Sequence, residues 1–117
     1  MPNQKHEVWK HIGEIKPIAT SHGVGEKRVV TLQAEIGKPV TQIARTLLRC
    51  GEKVEKHAHQ TMDEHFFFLE GKCSVVVESK HYLFNGGDYL FIPATKEHEL
   101  VALEDTIIIT IGIETLE

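Results

Sequence analysis

This chain has little of what marks several large classes of protein. Among its 117 residues there are two cysteines, Cys50 and Cys73, which excludes a disulfide-stapled secreted scaffold. Both are expected as free thiols, each beside a turn glycine at a strand end, where a cysteine acts as a small buried hydrophobe. No Lys/Arg cluster is present, and 13 basic against 17 acidic residues leave a net charge of -4. That balance excludes a nucleic-acid footprint and an anionic membrane surface as partners. No apolar run is long enough to span a bilayer. Met1 to His6 has no apolar signal-peptide core behind it, so a cytoplasmic location is expected. Low-complexity segments and long charge blocks are missing too, and a hydrophobic fraction of 41% is ordinary for a folded domain of this length.

What is there is mostly strand language. Residues 29–32, 41–49, 54–59, 64–70, 73–78, 81–84, 88–93, 98–103 and 106–113 form short runs rich in β-branched and aromatic residues. Breaks fall at Gly37-Lys38-Pro39, Cys50-Gly51, Glu70-Gly71-Lys72, Asn85-Gly86-Gly87 and Pro93-Ala94-Thr95. Turn signals at this spacing predict an all-β antiparallel sandwich or barrel. Asn85-Gly86 reads as a hairpin dipeptide, since both residues tolerate positive φ. Before the barrel, Val8, Trp9, Ile12 and Ile15 favour a helical turn or two ahead of Pro17. The reading is an N-terminal extension over 1–28 and one β-barrel domain over 29–117.

One strand carries a further message. Side chains alternate along a strand, so if Glu64 points inward, Phe66 and Phe68 line the interior beside it. His65, Phe67 and Leu69 then point outward, and two large apolar side chains in water need cover. A homodimer is expected on that ground.

The site signal lies in residues 51–71. Gly51 is followed by His57, His59, Glu64 and Gly71. His57 and His59, two apart on an extended chain, share a face, and a turn after His59 brings Glu64 back to them. Neutral imidazoles with a carboxylate suit a divalent first-row metal, and His98 is a candidate fourth ligand. His-Ala-His alone is unremarkable in a chain with eight histidines. The five fixed positions together match by chance in roughly one shuffled chain in three thousand. His65 is expected to face away from Glu64, His81 is read as solvated, and His6, His11 and His22 lie ahead of the barrel without an assigned role.

At these residues the chain resembles the cupin family. Gly51, His57, His59, Glu64 and Gly71 fit its first motif, while Gly87, Pro93 and His98 follow its second after a short spacer. Thr95 stands where the second motif usually has glycine, and Ala102 where it usually has asparagine. The resemblance implies a small jelly-roll β-barrel holding one divalent transition metal (Fe, Mn, Zn or Ni) through His57, His59, Glu64 and His98. It implies a small organic ligand or substrate, and most readily a metal-dependent enzyme of oxygenase, isomerase or lyase type. Two other readings stay open: a non-catalytic ligand-binding or sensing module, and a metal-free sugar-nucleotide isomerase or epimerase using the paired histidines as base. Residues 41–46 offer polar side chains to such a pocket.

Overall fold

Each β-rich run of the sequence becomes a strand in the computed structural model, which describes residues 10–36 and 39–115. In chain order these are β2 (Glu26–Leu32), β3 (Val40–Leu48), β4 (Lys53–His57), β5 (Met62–Glu70) and β6 (Lys72–Val77), preceded by a two-residue β1 (Ile18–Ala19). They continue as β7 (Lys80–Asn85), β8 (Tyr89–Ile92), β9 (His98–Ala102) and β10 (Thr106–Glu114). A 3-10 turn at Ile12–Glu14 stands where a helical turn was expected, and a four-residue helix, α1 (Gln33–Ile36), was not foreseen. Val8, Trp9, Gly37 and Lys38 lie outside the described residues.

All strand pairs are antiparallel and form two sheets, one ordered β1-β2-β3-β10-β5-β8 and the other β4-β9-β6-β7. Among the described residues each sheet keeps two free edges, so the fold is an open antiparallel sandwich, the first of the two expected forms, and the β-barrel is corrected to it. The inward–outward alternation of residues is the same in both arrangements, which is why the sequence does not separate them.

The core sits between the inner faces. Leu48, Phe66, Phe68, Ile92 and Ile108 come from the larger sheet, and Val54, Cys73, Val75, Leu100 and Ala102 from the smaller. Phe66 and Phe68 are buried while Phe67 and Leu69 are 40% and 49% exposed, the alternation expected for β5. The cysteines differ. Cys73 is buried, and burial pushes its thiol up to about 11, whereas Cys50 is exposed with its thiol donating to the Leu103 carbonyl.

Turns decide the sheet change. Gly71, between β5 and β6, has φ +99, and a Cβ there would lie 2.3 Å from the Asp105 carbonyl oxygen, so only glycine fits. Asn85-Gly86 does not close a hairpin, because β7 and β8 belong to different sheets. The segment is a crossover, pinned by the Gly87 N–H donating to the Phe68 carbonyl at 2.6 Å. Among the described residues, no helix is long and apolar enough to cross a membrane.

Candidate metal centre

The centre lies at one end of the sandwich, where both sheets contribute. From the smaller sheet, His57 of β4 and His98 of β9 are direct cross-strand partners with ring centroids 4.3 Å apart. His57 owes its direction to a β-bulge. Val54 pairs with Leu100 but His57 with His98, three residues against two. Val54 and His57 would face opposite ways on a regular strand, and the extra residue turns the imidazole inward. From the larger sheet, β5 brings Glu64, while His59 comes from the loop joining β4 to β5.

His59 Nε2 and His98 Nε2 each lie 3.4 Å from Glu64 Oε1. One ligand atom from each of His57, His59, Glu64 and His98 falls within 4.8 Å of all the others. An ion with ~2.0–2.4 Å bonds spaces its neighbouring ligands about 3 Å apart and its opposite ones under about 5 Å. The spacing fits such an ion.

The histidines are oriented from behind. His57 Nδ1 donates to the Glu55 carbonyl at 2.8 Å and His98 Nδ1 to the Lys96 carbonyl at 2.9 Å. A carbonyl only accepts, so each Nδ1 carries the proton and each Nε2 lone pair is left for the site. Glu64 Oε1 and His98 Nε2 are buried with no hydrogen-bond partner among the described residues. Orphaned buried polar atoms are costly, and a cation between them would satisfy both. The donor set therefore fits a divalent metal.

Electrostatics separate the imidazoles. Burial holds the His57 pKa below the ordinary histidine value, helped by the charges of His98, His22 and His59 and opposed by the Glu55 carbonyl. At His98 burial also disfavours charge, but Glu64 and the Lys96 carbonyl outweigh it and the pKa is raised.

Beside the cluster is a cavity of about 160 Å³. Phe66 lines it, whereas Phe68, expected beside it, lies one step deeper in the core, its ring stacked on Phe84 at 4.9 Å. Gln42 and Thr46 of β3 and Thr110 of β10 supply polar lining. His65 faces away and its Nδ1 meets the Tyr89 hydroxyl at 2.5 Å, and His81 is exposed. His22 is the residue the sequence did not reveal. Its ring lies 4.3 Å from His57, and the turn between β1 and β2 that carries it forms part of the cavity wall. A histidine in the glycine-bounded turn Thr20-Ser21-His22-Gly23 ahead of a strand was the available hint.

The fold and this centre are those of a cupin. A family model described as the cupin domain matches residues 45–112, and the chain belongs to that family. An uncharacterised protein of Methanocaldococcus jannaschii is 28% identical over 88 residues, which cover 74% of this chain and 69% of that protein. Among solved structures, a predicted oxalate decarboxylase from Thermotoga maritima is similar with a TM-score of 0.83 at 20% identity, over 92% of this chain and 99% of that one. KdgF from Halomonas sp. has a TM-score of 0.79 at 15% identity, over 96% of each chain. Ectoine synthase from P. lautus has a TM-score of 0.80 at 19% identity, over 94% of this chain and 80% of that one.

Proposed function

We propose that this protein is a metal-dependent cupin enzyme acting on a small organic molecule, with one divalent transition metal held by His57, His59, Glu64 and His98. The observation that carries the reading is the pair of buried atoms, Glu64 Oε1 and His98 Nε2, without a hydrogen bond among the described residues and 3.4 Å apart in a four-donor cluster at the cavity wall. A bound Fe, Mn, Zn or Ni ion would supply Lewis-acid polarisation of a substrate oxygen, or redox chemistry where the ion is iron.

The chain's own groups do the rest. The Glu55 and Lys96 carbonyls fix the His57 and His98 tautomers, so their lone pairs are set before the metal arrives. Phe66 keeps one wall of the cavity apolar and limits water there, while Gln42, Thr46 and Thr110 offer hydrogen bonds to a polar substrate. That similar folds include ectoine synthase and a predicted oxalate decarboxylase supports an enzyme over a passive binder, without specifying the reaction. A metal-free base mechanism is disfavoured, because proton transfer by paired histidines needs neither the buried Glu64 oxygen nor His98 at the same point.

A homodimer in the cytoplasm completes the reading, its dimer part supported by the exposed apolar side chains of β5 and β8. The deciding experiment is elemental analysis of protein purified without an affinity tag, before and after dialysis against chelator. Near-stoichiometric transition metal, lost on His59→Ala by at least an order of magnitude in affinity, is the expected result. Retention of equal metal by His59→Ala and His98→Ala overturns the assignment. Turnover of small carbonyl, thiol and sugar substrates, under air and under nitrogen, separates an enzyme from a binding module.

A further inference from the structure

The wall of the cavity carries a charge that the metal reading does not use. Lys27, on β2, is the one Lys or Arg among the cavity-lining residues, and Glu64 is the one acid. The Lys27 ammonium has no ion pair or hydrogen bond to another described residue. It is half-buried and pairs across the sheet with Thr46, which also lines the cavity. His22 lines the same cavity as Lys27, and its ring lies 4.3 Å from that of His57 in the cluster. The turn that holds His22 is built for its place. Its backbone N–H donates to Thr20 Oγ1 at 3.2 Å, and the Gly25 N–H donates to Glu52 Oε2 at 3.2 Å. A Cβ on Gly25 would come within 2.8 Å of the Leu47 carbonyl oxygen, so the turn packs directly on β3.

Charge counting then constrains the ligand. Three neutral imidazoles and one carboxylate leave a bound divalent ion with one excess positive charge, and Lys27 adds a second. Nothing else among the described lining residues compensates them. A half-buried cation without a partner favours an anionic ligand, because pairing recovers the desolvation it has already suffered. Size points the same way. At about 160 Å³ the cavity is well below the ~300–1,000 Å³ typical of drug-sized ligands. One molecule touching both Lys27 and the cluster carries its negative charge at one end and its metal-facing oxygen at the other.

We infer that Lys27, assisted by His22, forms an anion-binding wall that selects small carboxylic acids, the acid group at Lys27 and a carbonyl or hydroxyl oxygen toward His57, His59, Glu64 and His98. This rests on the metal-dependent reading of the same site. Lys27 acts in binding and orientation, and His22 as a hydrogen-bond donor at the rim.

The test uses full-length protein whose metal content has been fixed by elemental analysis, titrated calorimetrically with malonate, succinate and 3-hydroxypropanoate, each against its neutral amide. Wild-type protein is expected to bind at least one acid ten-fold or more tighter than its amide. Lys27→Met should bring acid and amide within about two-fold while metal content stays unchanged, and Lys27→Arg should keep the preference. His22→Phe, which keeps a ring in place, should weaken the acid more than the amide. The inference is overturned if no acid outbinds its amide, or if Lys27→Met keeps the wild-type preference. Protein that takes up no metal defeats the metal reading instead, and that is seen before any acid is added.

Discussion

The backbone N–H of Thr95 donates to the carbonyl of His59 at 2.7 Å, and Thr95 adopts φ +75 in doing so. This bond ties the loop bearing one histidine of the cluster to the turn that leads into His98. Thr95 occupies the position where the cupin pattern usually has glycine, and a β-branched residue at positive φ is strained by roughly 1–2 kcal/mol. Glycine would relieve that strain but lose about 0.5–1 kcal/mol through the freer unfolded chain. Relief is the larger effect. Thr95→Gly is therefore expected to stabilise the protein by about 0.5–1 kcal/mol, read as a rise of a few degrees in melting temperature. A fall would mean that the threonine side chain makes a compensating contact.

Metal removal should be felt by the whole fold, since the cluster joins the two sheets. At a free metal concentration a thousand times its Kd, binding adds about 4 kcal/mol, on the order of 10 °C or more for a domain of this size. Chelation should reverse the gain. Glu64→Gln is expected to abolish most of that metal-dependent shift while leaving the metal-free protein close to wild type at pH 8, where His98 carries no charge to pair with Glu64 and the carboxylate oxygen is buried without a hydrogen bond among the described residues. Differential scanning calorimetry with and without chelator checks both statements. A metal-independent melting temperature would separate the cluster from stability altogether.

The pH dependence follows from two histidines shifted in opposite directions. At His98 burial opposes charge, yet Glu64 and the Lys96 carbonyl outweigh it and the folded pKa lies above the ordinary value. Folding takes up a proton there, so this contribution is fully present below the unfolded value of about 6.5 and fades as pH rises through the folded one. His57 is depressed, chiefly by burial, so its contribution is present above about 6.5 and fades as pH falls through its folded pKa. The ion needs both rings neutral, and on acidification His98 takes a proton first. The metal-induced rise in melting temperature should be largest near pH 8 and shrink steadily toward pH 6. A constant rise across that range would contradict the charge assignment at His98.

The sequence exposed the strands through short-range periodicity, and the four-residue cluster through its resemblance to the two cupin motifs. Phe66 and Phe68 share the buried face of β5 as alternation requires, whereas His57 and His59 meet Glu64 from a strand end and a loop. What escaped depends on contacts between distant segments. The bulge that turns His57 inward leaves no mark in the string Val54-Glu55-Lys56-His57, since it arises from register with β9. His22 approaches His57 only because the turn between β1 and β2 folds back against β3, and a lone histidine has no periodicity to announce it. Sandwich and barrel stayed unseparated in the sequence because alternation reports which face is buried, not how sheets end. Asn85-Gly86 misled in a similar way: its turn chemistry is local, but the sheet that receives the next strand is not.

The outer face of the larger sheet bears on assembly. Phe67, Leu69, Tyr89 and Phe91 are each at least 40% exposed, and Phe67 and Tyr89 lie side by side with ring centroids 5.1 Å apart. They belong to β5 and to β8, an edge strand of the larger sheet, so apolar surface runs out to an edge unpaired among the described residues. Contiguous apolar surface of this kind marks an interaction face, and unpaired edges are prone to association. A two-fold copy covering about 800 Å² on each partner is the size of an ordinary stable interface. Sedimentation equilibrium at tens of micromolar should give a dimer. Phe67→Glu should shift it to monomer by placing like charges across the two-fold axis, with metal content unchanged because Phe67 points away from Glu64. A wild-type monomer at that concentration, or a Phe67→Glu dimer of wild-type strength, would place the assembly face elsewhere.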